Sequence, residues 1–270
     1  MLTGTRAFDE EWMEAQAATL ARADALLAAT GASAEMRRYV ADMKGYPRIP
    51  YLAALWVPDR DRRVAIGAAV CVHAIGIKLL DDLLDQDQPY SRWDQALGVF
   101  LMQAAAASLA QHESPALAMD AFARDYEVIW RMQLLEAAVP PRTLSAWIEY
   151  ARVKSGRMMA SYAEVACLAG GAPEAIPAAR DFAEAVGVLF MIGDDLRDLA
   201  ETGEAPGNLA WMAKQHVVTR GEVLAAIDAW AARAGASIRS RAPSHDLSSF
   251  VDGYARRLRG QVAAGGGGAT

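Results

Sequence analysis

The chain has 270 residues, of which 53% are hydrophobic and 22% are charged, and its formal net charge is -6. This composition excludes intrinsic disorder, collagen-like repeats and a disulfide scaffold, and the length is sufficient for one large core. The acidic balance and the lack of a basic stripe argue against nucleic acid as a partner. Cys71 and Cys167 each lie in an apolar run, which predicts two buried thiols.

The first residues are acidic and lack the apolar stretch of a signal peptide, so we expect a cytoplasmic protein. The longest charge-free apolar stretch in the first third of the chain, residues 64–77, is shorter than the roughly 18 to 20 residues that cross a bilayer. The sequence therefore predicts no transmembrane segment.

Apolar residues recur at helical spacing along nearly the whole chain, and no segment alternates as a strand does. The sequence therefore predicts an all-α fold, a single large helical bundle around a central apolar cavity. Gly and Pro residues place the helices at about 8–29, 33–44, 58–87, 91–111, 115–138, 142–169, 175–202, 207–217, 219–236 and 245–259. The short connectors predict one domain over residues 1–264, and the Gly-rich end predicts a disordered tail at 265–270.

Two helices, at 58–87 and 175–202, are apolar on most faces and carry the same D-D-x-x-D spacing near their ends. The six residues are Asp81, Asp82 and Asp85 in the first motif and Asp194, Asp195 and Asp198 in the second. The first and last carboxylates of each motif lie one helical turn apart on the same face, so they repel each other. The helix macrodipole adds an unfavourable contribution of about 0.3 to 1 kcal/mol.

Divalent cations between the carboxylates would remove this repulsion, and a set of oxygen ligands suits Mg²⁺. Two such motifs on facing helices would hold several Mg²⁺ ions and a diphosphate above an apolar pocket for a hydrocarbon chain. The alternative is two solvated acidic helix ends. The repeated spacing favours the metal site.

The paired motifs resemble those of the trans-isoprenyl diphosphate synthase superfamily, over about residues 45 to 215. Residues 190–198, FMIGDDLRD, are similar to that family's FQxxDDxxD, and Lys154-Ser155 is similar to its K-T step. The resemblance implies the isoprenoid synthase fold, a homodimer, Mg²⁺ as cofactor and an allylic prenyl diphosphate as substrate. The residues that it assigns are Asp81, Asp85 and Asp194 as metal ligands, Asp82, Asp195 and Asp198 as residues that complete or orient the metal site, and Lys154 as a diphosphate contact.

The chain also departs from the chain-elongating members of that superfamily. Their G-K-R-x-R-P motif, which binds isopentenyl diphosphate, corresponds here to GYPRIP at residues 45–50, where Arg48 is the one cation. The basic pair after the first motif is reduced to Arg92, and Met191 stands where glutamine is usual. We therefore expect an acceptor other than isopentenyl diphosphate, with Arg48 as a second candidate contact for the donor diphosphate.

Shorter stretches resemble the moenomycin-type prenyltransferase subfamily, which couples geranyl diphosphate to the farnesyl chain of a phosphoglycolipid precursor. They are Arg48-Ile49-Pro50, Asp61-Arg62-Arg63, Lys78-Leu79-Leu80 and, after the second motif, Gly207-Asn208-Leu209-Ala210. This resemblance implies a prenyltransferase with a lipid alkene as acceptor. Two alternatives remain open, a terpene cyclase on the same scaffold and an inactive isoprenoid-binding protein, and the intact carboxylates count against the second.

Several other side chains near the motifs have a structural and a functional interpretation. We interpret Tyr162, Phe100, Met158 and Met191 as core residues, with the lining of the hydrocarbon pocket as the alternative. His73 is predicted to be a hydrogen-bonded core histidine, and Arg197 is predicted to pair with a neighbouring carboxylate.

Overall fold

The computed structural model describes residues 6–43, 46, 48–84, 92–202 and 207–264, apart from the side chains of 83–84, 92–95, 133–138 and 200–202. Throughout these ranges the secondary structure is helical and contains no strand, which confirms the predicted all-α class. Asp85 and the predicted disordered tail, residues 265–270, lie outside the described residues.

The helices follow the predicted order closely. They are α1 (Arg6–Ala29), α2 (Ala34–Asp42), α3 (Arg48–Tyr51), α4 (Arg60–Leu84), α5 (Arg92–Leu109), α6 (Pro115–Ala138), α7 (Leu144–Ala151), α8 (Arg157–Ala169), α9 (Ile176–Thr202), α10 (Leu209–Lys214), α11 (Arg220–Ser240) and α12 (Ser248–Ala264). Short 3₁₀ segments at Leu52–Trp56 and Pro173–Ala175 precede α4 and α9, and a π-helical turn at Arg152–Gly156 joins α7 to α8.

Two features of this order were not predicted. Helix α3 lies where the sequence predicted no helix. Its third residue is Pro50. Proline is tolerated in the first turn of a helix because the N–H groups of that turn have no partner within the helix. The segment predicted as one helix over 142–169 is α7, the π-helical turn and α8 in succession. Such single π turns occur frequently at functional sites.

The described residues form two compact units. The first unit takes its residues from 5–121 and 162–176, and the second takes its residues from 122–161 and 177–270. The first aspartate motif belongs to the first unit and the second motif to the second unit. The prediction of one domain over residues 1–264 stays a prediction.

The core of the first unit forms where α1, α2, α4 and α5 bring their apolar faces together. The buried members of this core are Ala23, Leu27, Met36, Val40, Val72, Ile75, Leu79, Leu97, Leu101 and Ala105. Helices α4 and α5 approach closely through two glycines, since a Cβ atom at Gly76 would lie 2.6 Å from the carbonyl oxygen of Gly98. This packing fixes α4, the helix that carries the first motif.

A buried ion pair attaches α1 to the start of α4. The Arg63 guanidinium donates to both carboxylate oxygens of Glu11, at 2.8 and 2.7 Å, and also to the carbonyl of Val57. The Tyr51 hydroxyl donates to the same carboxylate at 2.7 Å. Because every charged group in this set has hydrogen-bond partners, the cost of burying it is offset.

Helix α4 is also the one described helix that passes a length and composition test for a membrane span. Its window at Arg60–Asp82 has a mean hydropathy of 1.8, and 72% of that window is buried inside the protein. Burial of this extent is typical of a core helix, which passes the same test.

In the second unit, α9 is surrounded by close helix contacts. A Cβ atom at Gly187 would lie 2.6 Å from the Ser155 carbonyl oxygen, so the π-helical turn rests directly on α9. On another part of α9, the Tyr254 hydroxyl of α12 occupies the space beside Gly193, and the rings of Phe190 and Tyr254 lie 4.7 Å apart. These contacts position the residues that lead into the second motif.

Candidate active site

In the first motif, the second aspartate points into the protein. Asp82 is 3% exposed and accepts hydrogen bonds from the Tyr39 hydroxyl of α2 and from the Lys78 ammonium group at 2.5 Å. Lys78 lies four residues earlier on α4, which is the spacing at which helical side chains meet. Asp82 therefore attaches the end of α4 to α2.

The first aspartate of this motif, Asp81, lies one residue earlier on α4 and is partly exposed. Its predicted metal-binding partner Asp85 lies outside the described residues. The roles of Asp81 and Asp85 as metal ligands remain predictions.

In the second motif, Asp194 and Asp198 are exposed and Asp195 is buried. The two exposed carboxylates are four residues apart on α9, so they share one face of the helix as the spacing predicted. The second motif therefore offers two solvent-accessible carboxylates beside one that is enclosed.

The buried carboxylate of Asp195 is held by two donors from distant segments. The Trp147 indole N–H of α7 donates to Oδ2 at 2.9 Å, and the backbone N–H of Leu209 donates to the same oxygen at 2.5 Å. Asn208, which caps α10, also donates from Nδ2 to the Asp195 backbone carbonyl at 3.0 Å. Residues 207–210, the stretch that resembles the prenyltransferase subfamily, thus include two donors that hold Asp195 in place.

Burial dominates the electrostatics of Asp195. Desolvation raises the pKa of its carboxyl from an ordinary value of 3.8 to about 7, and the nearby charges of Asp198 and Asp194 act in the same direction. The hydrogen bonds from Leu209 and Trp147 oppose this rise because they stabilise the ionised form.

The two motifs share one arrangement, in which the second aspartate is an internal anchor. Asp82 and Asp195 occupy equivalent positions, and each is buried with two hydrogen-bond donors. The role predicted for them, to complete or orient the metal site, stays a prediction. Sequence reasoning missed Tyr39 and Trp147; the only available signal was that a buried Tyr or Trp needs a partner for its polar group.

Arg197 pairs with a motif carboxylate, as predicted. Its Nη2 donates to Asp194 Oδ1 at 2.6 Å. The charge of Asp194 also raises the pKa of the buried Tyr254 hydroxyl, although desolvation is the larger cause. The Arg257 guanidinium lies over the Tyr254 ring, 4.8 Å from its centroid.

Lys154 lies in the π-helical turn and is partly buried. Its Nζ atom lies 5.6 Å from the centroid of the Tyr150 ring. The next residue, Ser155, places its hydroxyl oxygen 3.6 Å from the sulfur of Met191 on α9. Ser155 and Met191 both differ from the family's usual residues, and the structure brings them into contact. The role of Lys154 in binding diphosphate stays a prediction.

Arg48 is engaged inside the first unit. Its Nη2 donates to Asp9 at 2.6 Å, and its guanidinium lies over the Phe8 ring at 5.2 Å. Its Nε atom is buried without a hydrogen-bond partner. A diphosphate contact, as predicted for Arg48, would have to compete with the Asp9 carboxylate.

The other singled-out side chains are mostly core residues. His73 is buried with Nδ1 3.3 Å from the Tyr162 hydroxyl, and desolvation lowers the pKa of its imidazole to about 3, so the predicted hydrogen-bonded core histidine is confirmed. Tyr162 and Met191 are buried and Met158 is partly buried. Phe100 is exposed, so its interpretation as a core residue is wrong. Cys71 and Cys167 are both buried, as predicted.

The second unit contains an open apolar pocket of about 420 Å³ between the end of α6 and the start of α7. Its lining residues are Met132, Val139, Pro140, Pro141, Arg142, Ala146, Glu149 and Tyr150. None of these residues was predicted to line a hydrocarbon pocket.

Comparison with known families settles the class of protein. The family model described as polyprenyl synthetase matches residues 52–210, which is more than half of the chain and includes both aspartate motifs. The chain belongs to the polyprenyl synthetase family. Membership makes it a prenyltransferase of isoprenoid biosynthesis. No curated protein sequence matches the chain significantly.

Solved structures show the same fold at low sequence identity. Geranylgeranyl pyrophosphate synthetase from the archaeon Geoglobus acetivorans aligns with a TM-score of 0.66 at 17% identity, over 95% of this chain and 99% of that one. A decaprenyl diphosphate synthase from Rhodobacter capsulatus aligns with a TM-score of 0.66 at 19% identity, over 93% and 98%. Geranylgeranyl pyrophosphate synthase from Corynebacterium glutamicum, complexed with calcium and isoprenyl diphosphate, aligns with a TM-score of 0.65 at 18% identity, over 97% and 99%.

Proposed function

We propose that this polyprenyl synthetase family member is a Mg²⁺-dependent prenyltransferase that ionises an allylic prenyl diphosphate and transfers the prenyl group to an alkene other than isopentenyl diphosphate. The observation that carries the proposal is the exposure of Asp194 and Asp198 on one face of α9, beside the internally fixed Asp195. Two carboxylates on one face of a helix repel each other, and a divalent cation bound to them would offset that repulsion.

The described residues suit magnesium in their chemistry. The candidate ligand atoms are carboxylate oxygens. Mg²⁺ takes oxygen ligands and retains several waters, so one or two carboxylates are sufficient to hold an ion. Among the residues that the structure describes, no three His, Cys, Asp or Glu side chains form a ready-made metal cluster. We therefore propose Asp194 and Asp81, together with Asp85 from the sequence, as the carboxylates that would hold Mg²⁺.

When bound, Mg²⁺ would neutralise the charge that develops on the departing diphosphate. Asp82 and Asp195 hold the ends of their motifs in place through their donors on other helices. Lys154 contributes a cation to the leaving group. The allylic C–O bond breaks, its electron pair leaves with the diphosphate, an acceptor alkene forms the new C–C bond with the cation, and a proton is lost to the diphosphate.

The pairing of Arg48 supports an acceptor without its own diphosphate. Arg48 is the one cation in the segment at residues 45–50. The Asp9 carboxylate, which lies 2.6 Å from Arg48 Nη2, balances its charge. A second free diphosphate would require uncompensated cations in this segment. We propose a prenylated lipid as the acceptor, as the subfamily resemblance implies.

Diphosphate release tests the acceptor. The protein is incubated with Mg²⁺ and geranyl or farnesyl diphosphate, alone, with isopentenyl diphosphate or with a prenylated phosphoglycolipid. We expect release only with the lipid. Elongated prenyl diphosphates formed from isopentenyl diphosphate would contradict the proposed acceptor. A cyclic hydrocarbon formed without any acceptor would instead indicate a cyclase. The family match does not favour that activity.

A matched pair of variants tests the carboxylates. Asp194→Asn should lower diphosphate release at least about a hundredfold, because it removes a charged ligand of the proposed metal. Asp228→Asn is the control, since Asp228 is an exposed aspartate that pairs with Arg259 at 2.7 Å. Equal activity of the two variants would remove Asp194 from the proposed mechanism.

A further inference from the structure

The second motif contains its own cation. Arg197 occupies one of the two variable positions of the motif, and its guanidinium donates to Asp194 at 2.6 Å. The Arg197 and Asp194 side chains are 56% and 57% exposed, so the pair lies in solvent contact. The carboxylate that the proposed function assigns to a metal ion is therefore occupied by a guanidinium in this structure.

A guanidinium and a divalent cation compete for the same carboxylate oxygens. An exposed ion pair between neighbouring helical turns favours the paired state by a factor of only about one to five. A doubly charged ion that also binds other oxygens can displace such a partner. Arg197 is always charged and has five donors but no acceptor, so once displaced from Asp194 its donors are available to water or to an anionic ligand.

A second guanidinium, that of Arg257, lies in the region of Arg197, while desolvation lowers the pKa of Arg197 and the carboxylates of Asp194 and Asp198 raise it. Desolvation is the largest effect on the Tyr254 hydroxyl and raises its pKa, whereas the charges of Arg197 and Arg257 both lower it. Two guanidinium groups therefore act on one region, beside Gly193 and Asp194. In contrast, the basic pair that usually follows the first motif is reduced to Arg92. A planar guanidinium binds phosphate oxygens through two parallel hydrogen bonds.

We propose that Arg197 is the resting counterion of Asp194 and becomes a diphosphate-binding residue when a divalent cation takes its place on that carboxylate. This inference rests on the proposed function, because it requires Asp194 to bind metal. Arg197 thus supplies, from within the second motif, a cation for the donor diphosphate where the basic pair after the first motif is reduced to Arg92. No covalent bond forms or breaks in this exchange. On one turn of α9, the Arg197 guanidinium exchanges the Asp194 carboxylate for the diphosphate.

Two binding measurements on Arg197→Gln test the proposal, because the expected effects have opposite signs. Without diphosphate, Mn²⁺ binding followed by electron paramagnetic resonance should become about two- to fivefold tighter, since a competing cation is gone. With saturating Mn²⁺, the binding of inorganic diphosphate followed by calorimetry should become at least about tenfold weaker, since a charged donor is gone. Arg197→Lys, which keeps the charge, should recover part of both effects.

The control is Arg259→Gln, since Arg259 forms a similarly exposed ion pair with Asp228 in the same unit. This variant should bind both probes as the unaltered protein does. If Arg197→Gln leaves Mn²⁺ affinity unchanged or weakens it, or leaves diphosphate affinity unchanged, the proposal is overturned.

Asp194→Asn separates this inference from the proposed function. If Asp194→Asn binds Mn²⁺ as tightly as the unaltered protein, the metal assignment itself is wrong. If Asp194→Asn loses Mn²⁺ affinity while Arg197→Gln behaves like its control, the metal assignment stands and only the role of Arg197 is rejected.

Discussion

Replacement of Asp195 by asparagine should remove a measurable pH dependence of stability. Asp195 is 7% exposed, and desolvation raises the pKa of its carboxyl from 3.8 to about 7. Between those two pH values the folded protein binds more protons at this site than the unfolded chain does. The free energy of unfolding therefore falls as the pH rises from about 4 to about 7.

The size of the effect follows from the shift of the pKa. A rise of about three units, at about 1.36 kcal/mol per unit, corresponds to about 4 kcal/mol of stability lost between about pH 4 and pH 8. This value is an upper bound for one buried carboxyl. It is a large fraction of the roughly 5 to 15 kcal/mol that is typical of folded proteins.

The Asp195→Asn variant keeps an acceptor oxygen at this position, but its side chain cannot ionise. The indole N–H of Trp147 and the backbone N–H of Leu209 both donate to one oxygen, Oδ2, so an amide oxygen at that place satisfies both donors. The stability advantage of Asp195→Asn over the unaltered protein should therefore grow by up to about 4 kcal/mol from about pH 4 to pH 8.

Urea unfolding at about pH 4.5, 6 and 7.5 in the presence of EDTA measures this difference. Comparison of the two proteins at each pH cancels the contributions of titrating groups that do not interact with residue 195. Asp228→Asn, which replaces an exposed aspartate on α11, serves as the control for the loss of one carboxylate. The reasoning is refuted if the stability difference between Asp195→Asn and the unaltered protein is independent of pH, or if the advantage of the variant shrinks as the pH rises.

Three further predictions concern packing and charge. Burial lowers the pKa of His73 from 6.5 to about 3, so at acidic pH the unfolded chain binds a proton that the folded protein does not. Acid therefore weakens the fold. Between about pH 6.5 and pH 5, urea unfolding should show that the unaltered protein loses about 2 kcal/mol of stability relative to His73→Gln. Glu11→Ala should lower the free energy of unfolding by about 3 to 5 kcal/mol, because it leaves the buried Arg63 without its carboxylate. Gly187→Ala should lower it by about 1 to 3 kcal/mol, because the added Cβ meets the Ser155 carbonyl oxygen at 2.6 Å.

Each of these predictions has a contrary result and a control. A pH-independent difference for His73→Gln would show that the folded protein binds the proton at His73 as readily as the unfolded chain does. Glu14→Ala removes an exposed partner of Arg60 and should cost less than about 1 kcal/mol, so an equal loss from Glu11→Ala would contradict the buried pair. Gly253→Ala has open space around its Cβ and should be neutral or stabilising, so an equal response of Gly187→Ala would contradict the close approach.

The sequence by itself determined the features that depend on local periodicity. Helical spacing of apolar residues predicted the all-α class, and most predicted helices match the structure to within a few residues. The D-D-x-x-D spacing determined that Asp194 and Asp198 share a face of α9, because four residues complete about one helical turn. The motifs also indicated the family.

Only the tertiary structure decided which carboxylate of each motif is buried. Asp82 and Asp195 are enclosed because Tyr39 and Trp147, which are distant in sequence, bring donors to them. The pairing of Arg48 with Asp9 was equally hidden from the sequence. Periodicity describes what neighbours along one helix do, whereas burial and hydrogen-bond partners depend on which remote segment packs against that helix.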